Sequence, residues 1–199
     1  MDFTPDEDGL FHSLESGKPF ENCASCRLPL VEANPAPVTD DLGIVQELVA
    51  PYLVAKSFHK GECVFEYALC DDCRSNMAKE LSTESKESLR EFFERKMDVR
   101  KRSDKLANES SAAGWIKQCA TCGRDRETAE NYSTAALFHT GSLMLDPYPL
   151  CFCGECEEEI QAGLSKETLG VWDDFVESHF DSPPANVKNL PVGGRPLLI

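Results

Sequence analysis

No stretch of this 199-residue chain approaches the ~18 consecutive apolar residues that a membrane-spanning helix needs, so no span is expected. Its first residues, Met-Asp-Phe-Thr-Pro-Asp-Glu-Asp, are acidic where a secretory leader would be basic and then apolar, which leaves the cytoplasm as the expected location. Positive charge is scarce: 20 Lys and Arg stand against 35 Asp and Glu, a formal balance of -15. A surface of that sign repels phosphate backbones and anionic membranes, because nonspecific nucleic-acid affinity comes mainly from basic groups displacing counterions. Histidine is also sparse, with four in the chain. There is no His-x-x-x-His pair, no phosphate loop and no Ser-His-Asp set, which argues against a metal-dependent nuclease and against the common hydrolases.

What the chain has instead is cysteine, ten in all, at 23, 26, 63, 70, 73, 119, 122, 151, 153 and 156. Without a secretion signal, such a number points to reduced thiols holding metal and away from disulfides. Eight of them form four Cys-x-x-Cys pairs: Cys23/Cys26, Cys70/Cys73, Cys119/Cys122 and Cys153/Cys156. Two intervening residues let both sulfurs face one ion at ~2.3 Å, and two pairs complete a closed tetrahedral zinc site. The expectation is two Zn2+ per chain, held by these eight cysteines. A disulfide oxidoreductase would need a single pair beside a βαβ pattern, and no such alternation occurs.

The pairs belong to an internal repeat. Placing Cys73 on Cys156 aligns Met77 with Ile160, "LSTES" (81–85) with "LSKET" (164–168), and "FFE" (92–94) with "FVE" (175–177). Upstream, Phe58-His59-Lys60-Gly61 meets Phe138-His139-Thr140-Gly141 once a three-residue gap is allowed. "YLVAKSF" (52–58) and "CVFEYAL" (63–69) read as strands of a hairpin, and "YSTAALF" (132–138) with a shorter return strand reads as its counterpart. Phe-His-x-Gly would then be each hairpin's tip, with Gly61 and Gly141 supplying the turn. Pro147 and Pro149 should confine the second return strand to an edge or end its ladder. Helices are expected after each second pair, and again after Ser82 and Ser165 as N-caps, with Glu84 and Glu167 in the first turns. Leu89, Phe92, Phe93 and Met97 form an apolar stripe on one of these, and Leu169, Trp172, Phe175 and Val176 on the other. The longer spacing in the first copy is read as an inserted short helix, "TDDLGIVQELVAP" (39–51).

The order of Cys-x-x-Cys turn, hairpin, and Cys-x-x-Cys opening a helix resembles the treble-clef group of zinc fingers, over residues 23–80 and 119–163. That resemblance implies a fold for each module and says little about activity, since such modules serve binding, scaffolding and catalysis alike. The expected class is α+β: two tandem four-cysteine zinc modules, each followed by an amphipathic helix, in a pseudo-symmetric duplication. The expected divisions are an acidic extension (1–22), module one with its helix and basic linker (23–108), module two with its helix (109–181) and a Pro/Gly-containing tail (182–199).

The remaining candidates have plain structural readings beside the functional ones. His59 and His139 are read as turn residues, since four thiols already saturate each ion; as bases they would support a hydrolase. Cys63 and Cys151 are read as small apolar strand residues, with a spare ligand or redox thiol as the alternative. The run "RKMDVRKRSDK" (95–105) is read as the solvated face of a linker helix, and alternatively as an RNA contact. Phe3, Leu10, Phe11, Leu14 and Phe20 in the acidic extension are placed against module one. The function that fits is a zinc-stabilised interaction or adaptor protein with a protein partner, no nucleic acid and no membrane. A hydrolase using a tip histidine and an RNA-binding protein are the rivals.

Overall fold

A computed structural model describes residues 2–6, 8–31, 38–39, 45–46 and 50–180. In chain order its elements are β1 (Asp2–Thr4), β2 (Val38–Thr39), β3 (Val45–Gln46), β4 (Tyr52–His59) and β5 (Glu62–Cys70), then helices α1 (Asp71–Glu80), α2 (Thr83–Lys96), α3 (Val99–Leu106) and α4 (Ala112–Trp115). After a short 3-10 turn at Arg126–Thr128 come β6 (Asn131–His139), β7 (Ser142–Leu145), β8 (Leu150–Cys153), α5 (Gly154–Ala162) and α6 (Lys166–His179). The class is mixed α+β around one antiparallel sheet of order β1-β7-β6-β4-β5, with β8 also paired to β6. No helix among the described residues is long and apolar enough to cross a membrane.

The hairpins form where the sequence places them. Lys60 and Gly61 both have positive φ (51° and 82°), as do Thr140 and Gly141 (51° and 78°). Two consecutive left-handed residues define the two-residue turn whose twist matches antiparallel strands, and this is why Phe-His-x-Gly recurs. The returns differ. β5 runs unbroken to Cys70 with a bulge opposite Ser57/Phe58, whereas β7 stops at Leu145 and β8 resumes at Leu150. The intervening Asp146–Pro149 excursion, pinned by an Asp146 N–H bond to the Tyr148 carbonyl (2.9 Å), accounts for the three-residue gap in the repeat. Proline lacks the donor a ladder needs, so two prolines end the pairing and the strand restarts beyond them.

The hairpins join through β4 and β6 in a register that is nearly its own mirror image. Ala55 lies opposite Ala135, Tyr52 opposite Phe138, and Phe58 opposite Tyr132. Tyr52/Tyr132, Ala55/Ala135 and Phe58/Phe138 are repeat counterparts, so a local two-fold runs between the two alanines. The aromatic pairs stack across it at 5.3 Å and 4.5 Å.

The helices cross over. α6 lays Trp172 and Phe175 on Phe65 and Tyr67 of β5, with Trp172 5.7 Å from Tyr67 and Phe175 5.6 Å from it. α2 places Phe93 against Phe152 of β8 (6.0 Å) and touches α5. Each trailing helix therefore covers the other half of the sheet. Their N-termini meet at the two-fold: Ser82 N–H donates to Thr168 Oγ1 (3.0 Å), and Ser165 N–H to Ser85 Oγ (2.9 Å). Ser82 and Ser165 also cap their own helices, as their positions predict, each through a backbone N–H three residues on.

Three local expectations are corrected. Val45–Gln46 is a strand paired with Val38–Thr39 and not part of a helix, because Val and Thr suit extended backbone; of the 39–51 expectation, residues 50 and 51 are not helical either, and 40–44 and 47–49 lie outside the described residues. The basic run is not one linker helix: α2 ends at Lys96, Met97 is its C-cap, and Asp98 caps the new helix α3 by accepting from Lys101 N–H (3.0 Å). The acidic extension reaches beyond the first half, for β1 pairs with β7 and Phe11 sits edge-on to Phe138 at 6.1 Å. Phe11 is fully buried, Leu10 and Phe20 pack partly, and Leu14 is exposed. Residues 182–199 lie outside the described residues.

Candidate metal centres

Each four-cysteine group is assembled by two tight turns. In the first, Cys23 N–H donates to Leu28 O (2.9 Å), Arg27 N–H to Cys23 O (3.0 Å), and Ala24 N–H to Ala68 O on β5 (2.8 Å). In the second, Cys119 N–H donates to Arg124 O (2.8 Å), Gly123 N–H to Cys119 O (2.9 Å), and Ala120 N–H to Cys151 O on β8 (2.7 Å). The bond patterns are identical position for position. The residue after each first pair, Arg27 or Gly123, has positive φ (63° and 74°). Glycine accepts that conformation freely, while arginine does not.

The second pair in each group opens a helix. Cys70 and Cys153 are the N-caps of α1 and α5, with Cys73 and Cys156 in the first turns. Their backbone N–H groups point at the opposite turn: Cys70 N–H donates to Cys23 Sγ and Cys153 N–H to Cys119 Sγ, both 3.4 Å. Free N–H groups and the positive helix end favour thiolate there. In the second group a hydrogen bond from Cys153 holds the Cys119 thiol down to about 3, and the Cys153 thiol is raised correspondingly.

Cys23, Cys26, Cys70 and Cys73 thus converge, as do Cys119, Cys122, Cys153 and Cys156, with all four sulfurs of each group within 4.8 Å of one another. A regular tetrahedron with ~2.3 Å zinc–sulfur bonds has sulfurs about 3.8 Å apart. Cys26 and Cys70 are at 3.7 Å, Cys122 and Cys153 at 3.6 Å. Both groups could hold a metal ion, and the donor set suits zinc.

Cys63 and Cys151 belong to neither group. Cys63 donates to Phe65 O (3.5 Å), and burial pushes its thiol up to about 11. Cys151 is completely buried on β8 and its thiol is raised too, chiefly by desolvation. Both are strand residues whose burial favours the neutral thiol. His59 Nδ1 lies 2.7 Å from Asn131 Oδ1 at the first tip. His139 stands opposite Ser142 at the second.

The basic run is largely spent on the protein itself. Arg102 donates to the carbonyls of Trp115 (2.7 Å), Pro149 (2.9 Å) and Pro147 (3.3 Å) and stacks on the Trp115 ring. Burial depresses its pKa. Arg95 and Lys96 pair with Glu159 of α5 at 3.0 Å and 2.9 Å, and Lys105 donates to Gln118. The sequence left Arg102's role illegible, since no local pattern marks an arginine that holds a proline excursion forty-five residues away.

No protein family, curated protein or solved structure matches this chain.

Proposed function

We propose that this protein is a zinc-stabilised interaction protein without chemistry of its own, built from two tandem treble-clef-like modules that arose by duplication. The observation that carries the reading is the pair of closed thiol quartets. Four thiolates saturate a tetrahedral Zn2+ and leave no position for water or substrate, which is the signature of a structural site and not of a catalytic one. The matching turn geometry, the self-mirroring β4/β6 register and the reciprocal Ser82/Ser165 caps support duplication. The divisions at 23–108 and 109–181 are retained as repeat units, although sheet and helices interlock across them. In the cytoplasm such quartets would stay reduced.

Two zinc-loaded quartets would lower the formal charge from -15 to about -19. Of the basic run, Arg100 and Lys101 are exposed and their side chains make no hydrogen bond or ion pair among the described residues; two such cations leave little to grip a phosphate backbone, so a protein partner is favoured over RNA. For the hydrolase rival, His59 is engaged by Asn131, and no nucleophile adjoins it among the described hydrogen bonds.

Elemental analysis of protein purified under reducing conditions should return close to two zinc ions per chain; iron would identify the other metal that four thiolates suit. The interaction reading is tested by affinity isolation from the native cell beside the Cys122→Ser variant. A stoichiometric protein partner retained by the wild type and lost by the variant supports it. Recovery of RNA alone, or of nothing, overturns it.

A further inference from the structure

The local two-fold between Ala55 and Ala135 relates two places on the sheet face opposite α2 and α6. One is closed. There Tyr52 and Phe138 stack, Phe11 caps Phe138 edge-on, and Val54, Ala136 and Leu143 are all fully buried beside them. At the related place Phe58 and Tyr132 stack just as closely (4.5 Å, 11° between planes). Here, however, the register puts Thr134 where the closed end has Val54, Lys56 where it has Ala136, and Cys63 where it has Leu143. The result is a cleft of about 660 Å³ lined by these residues and by Arg126, with Asp8 at its exposed rim.

The opening is not demanded by the fold, since the same backbone closes with apolar side chains at the other end. Its size falls among ordinary small-ligand sites. Its polar groups are built in and not merely superficial. Lys56 is only 3% exposed, pairs with Glu66 at 3.0 Å, and donates to the His12 carbonyl. Glu66 is itself held by Ser13 Oγ and Leu14 N–H. An ammonium has three donors, and these contacts occupy two. Arg126 lies over the Tyr132 ring at 5.9 Å, half-buried, and its guanidinium has no ion pair or hydrogen bond among the described residues. With Lys56 neutralised by Glu66, Arg126 is, among the described residues, the Lys or Arg of the lining left without an ion pair beside the aromatic pair.

We propose that the Phe58–Tyr132 cleft binds a small carboxylate with a flat apolar body, its anionic end on Arg126 and its flat part on the stacked rings. Arginine's planar fork matches a carboxylate, and the stacked ring pair offers a flat apolar wall beside Leu10 and Ile116. The thiol of Cys63 is protonated and donates inward to Phe65 O, so the site binds without covalent chemistry. The proposal is independent of the metal reading, because none of the eight quartet cysteines lines the cleft.

The probes are benzoate, its neutral analogue benzamide, and inorganic phosphate, titrated into the zinc-loaded full chain and followed by amide NMR shifts. Benzoate should bind saturably with shifts centred on Phe58, Tyr132 and Thr134. Losing the charged pair should weaken it more than about tenfold, both for benzamide on the wild type and for benzoate on Arg126→Met, with phosphate alone as weak. The double variant Cys63→Leu/Thr134→Val, which copies the closed end at two of the three differing positions and leaves the Lys56–Glu66 pair in place, should keep the melting temperature and abolish binding. Arg100→Met, altering an exposed arginine outside the cleft, should leave binding unchanged. No saturable benzoate binding, or binding that survives both Arg126→Met and the closing variant, would overturn the proposal.

Discussion

The two candidate metal centres share the backbone hydrogen bonds of their Cys-x-x-Cys turns and differ in what surrounds them. In the first, Cys26 is exposed and Cys70 and Cys73 are half-buried; in the second, Cys119, Cys153 and Cys156 are buried and only Cys122 is exposed. Three features make the difference. Phe92 of α2 packs in one cluster with Cys119, Cys153, Cys156 and Ile160, so a helix from the first half roofs the second site. Arg124 grips Glu155 with two 2.6 Å bonds, tying the turn to α5, where the first site has exposed Leu28 at the corresponding position. Gly123 takes the left-handed turn position without strain, where Arg27 must be forced into it. The lesson is that the ligand set and its turns can be repeated while robustness is decided by neighbours.

The largest expected effect would break the comparison outright. Cys26→Ser and Cys122→Ser should each lose one zinc, and structural zinc supplies ~10 kcal/mol or more of folding free energy to such a module. Because α2 and α6 each cover the other half, either loss should unfold the whole body in one transition, measured by circular dichroism. Survival of a folded half would show that the halves are separable. Cys63→Ser should keep both metal ions and cost only what a small strand substitution costs.

Removing the roof is next. Phe92→Ala should destabilise the fold by ~3 kcal/mol, as expected for a buried phenylalanine. In zinc-release assays with a competing chelator, the wild type should lose metal from the first site before the second. Phe92→Ala should bring the two rates together, and equal rates already in the wild type would remove the distinction between the sites.

A smaller, reciprocal pair tests the turn. Arg27→Gly should stabilise and Gly123→Ala should destabilise, each by ~1 kcal/mol, as a positive φ predicts. A Cβ at Gly123 meets nothing within 4 Å, so the backbone term is isolated. Effects of the same sign on the melting temperature would mean that something other than φ sets the cost.

The smallest effect is at the hairpin tip. His59→Gln should keep both metal ions and shift stability by no more than about 0.5 kcal/mol, as a surface substitution does. Loss of zinc would make His59 a ligand, and loss of an activity with the fold intact would revive the hydrolase reading.

The sequence by itself determined the local chemistry of this protein. Cys-x-x-Cys, Phe-His-x-Gly, the Ser82 and Ser165 caps and the proline break act over a few residues, so the quartets, the hairpin tips, the starts of α1, α2, α5 and α6 and the end of β7's ladder could be read from spacing, while the resumption of pairing at β8 could not. Where strand and helix propensities competed, as around Val45, the reading failed, because pairing between strands outweighs a local pattern. Tertiary structure alone decided which half each helix covers, that β1 joins the far hairpin, that Arg102 is buried on carbonyls rather than free for RNA, and that one of two related places is closed while the other is a cleft. Each of these depends on contacts between residues far apart in the chain, and their energies come from packing and desolvation, which no local spacing encodes.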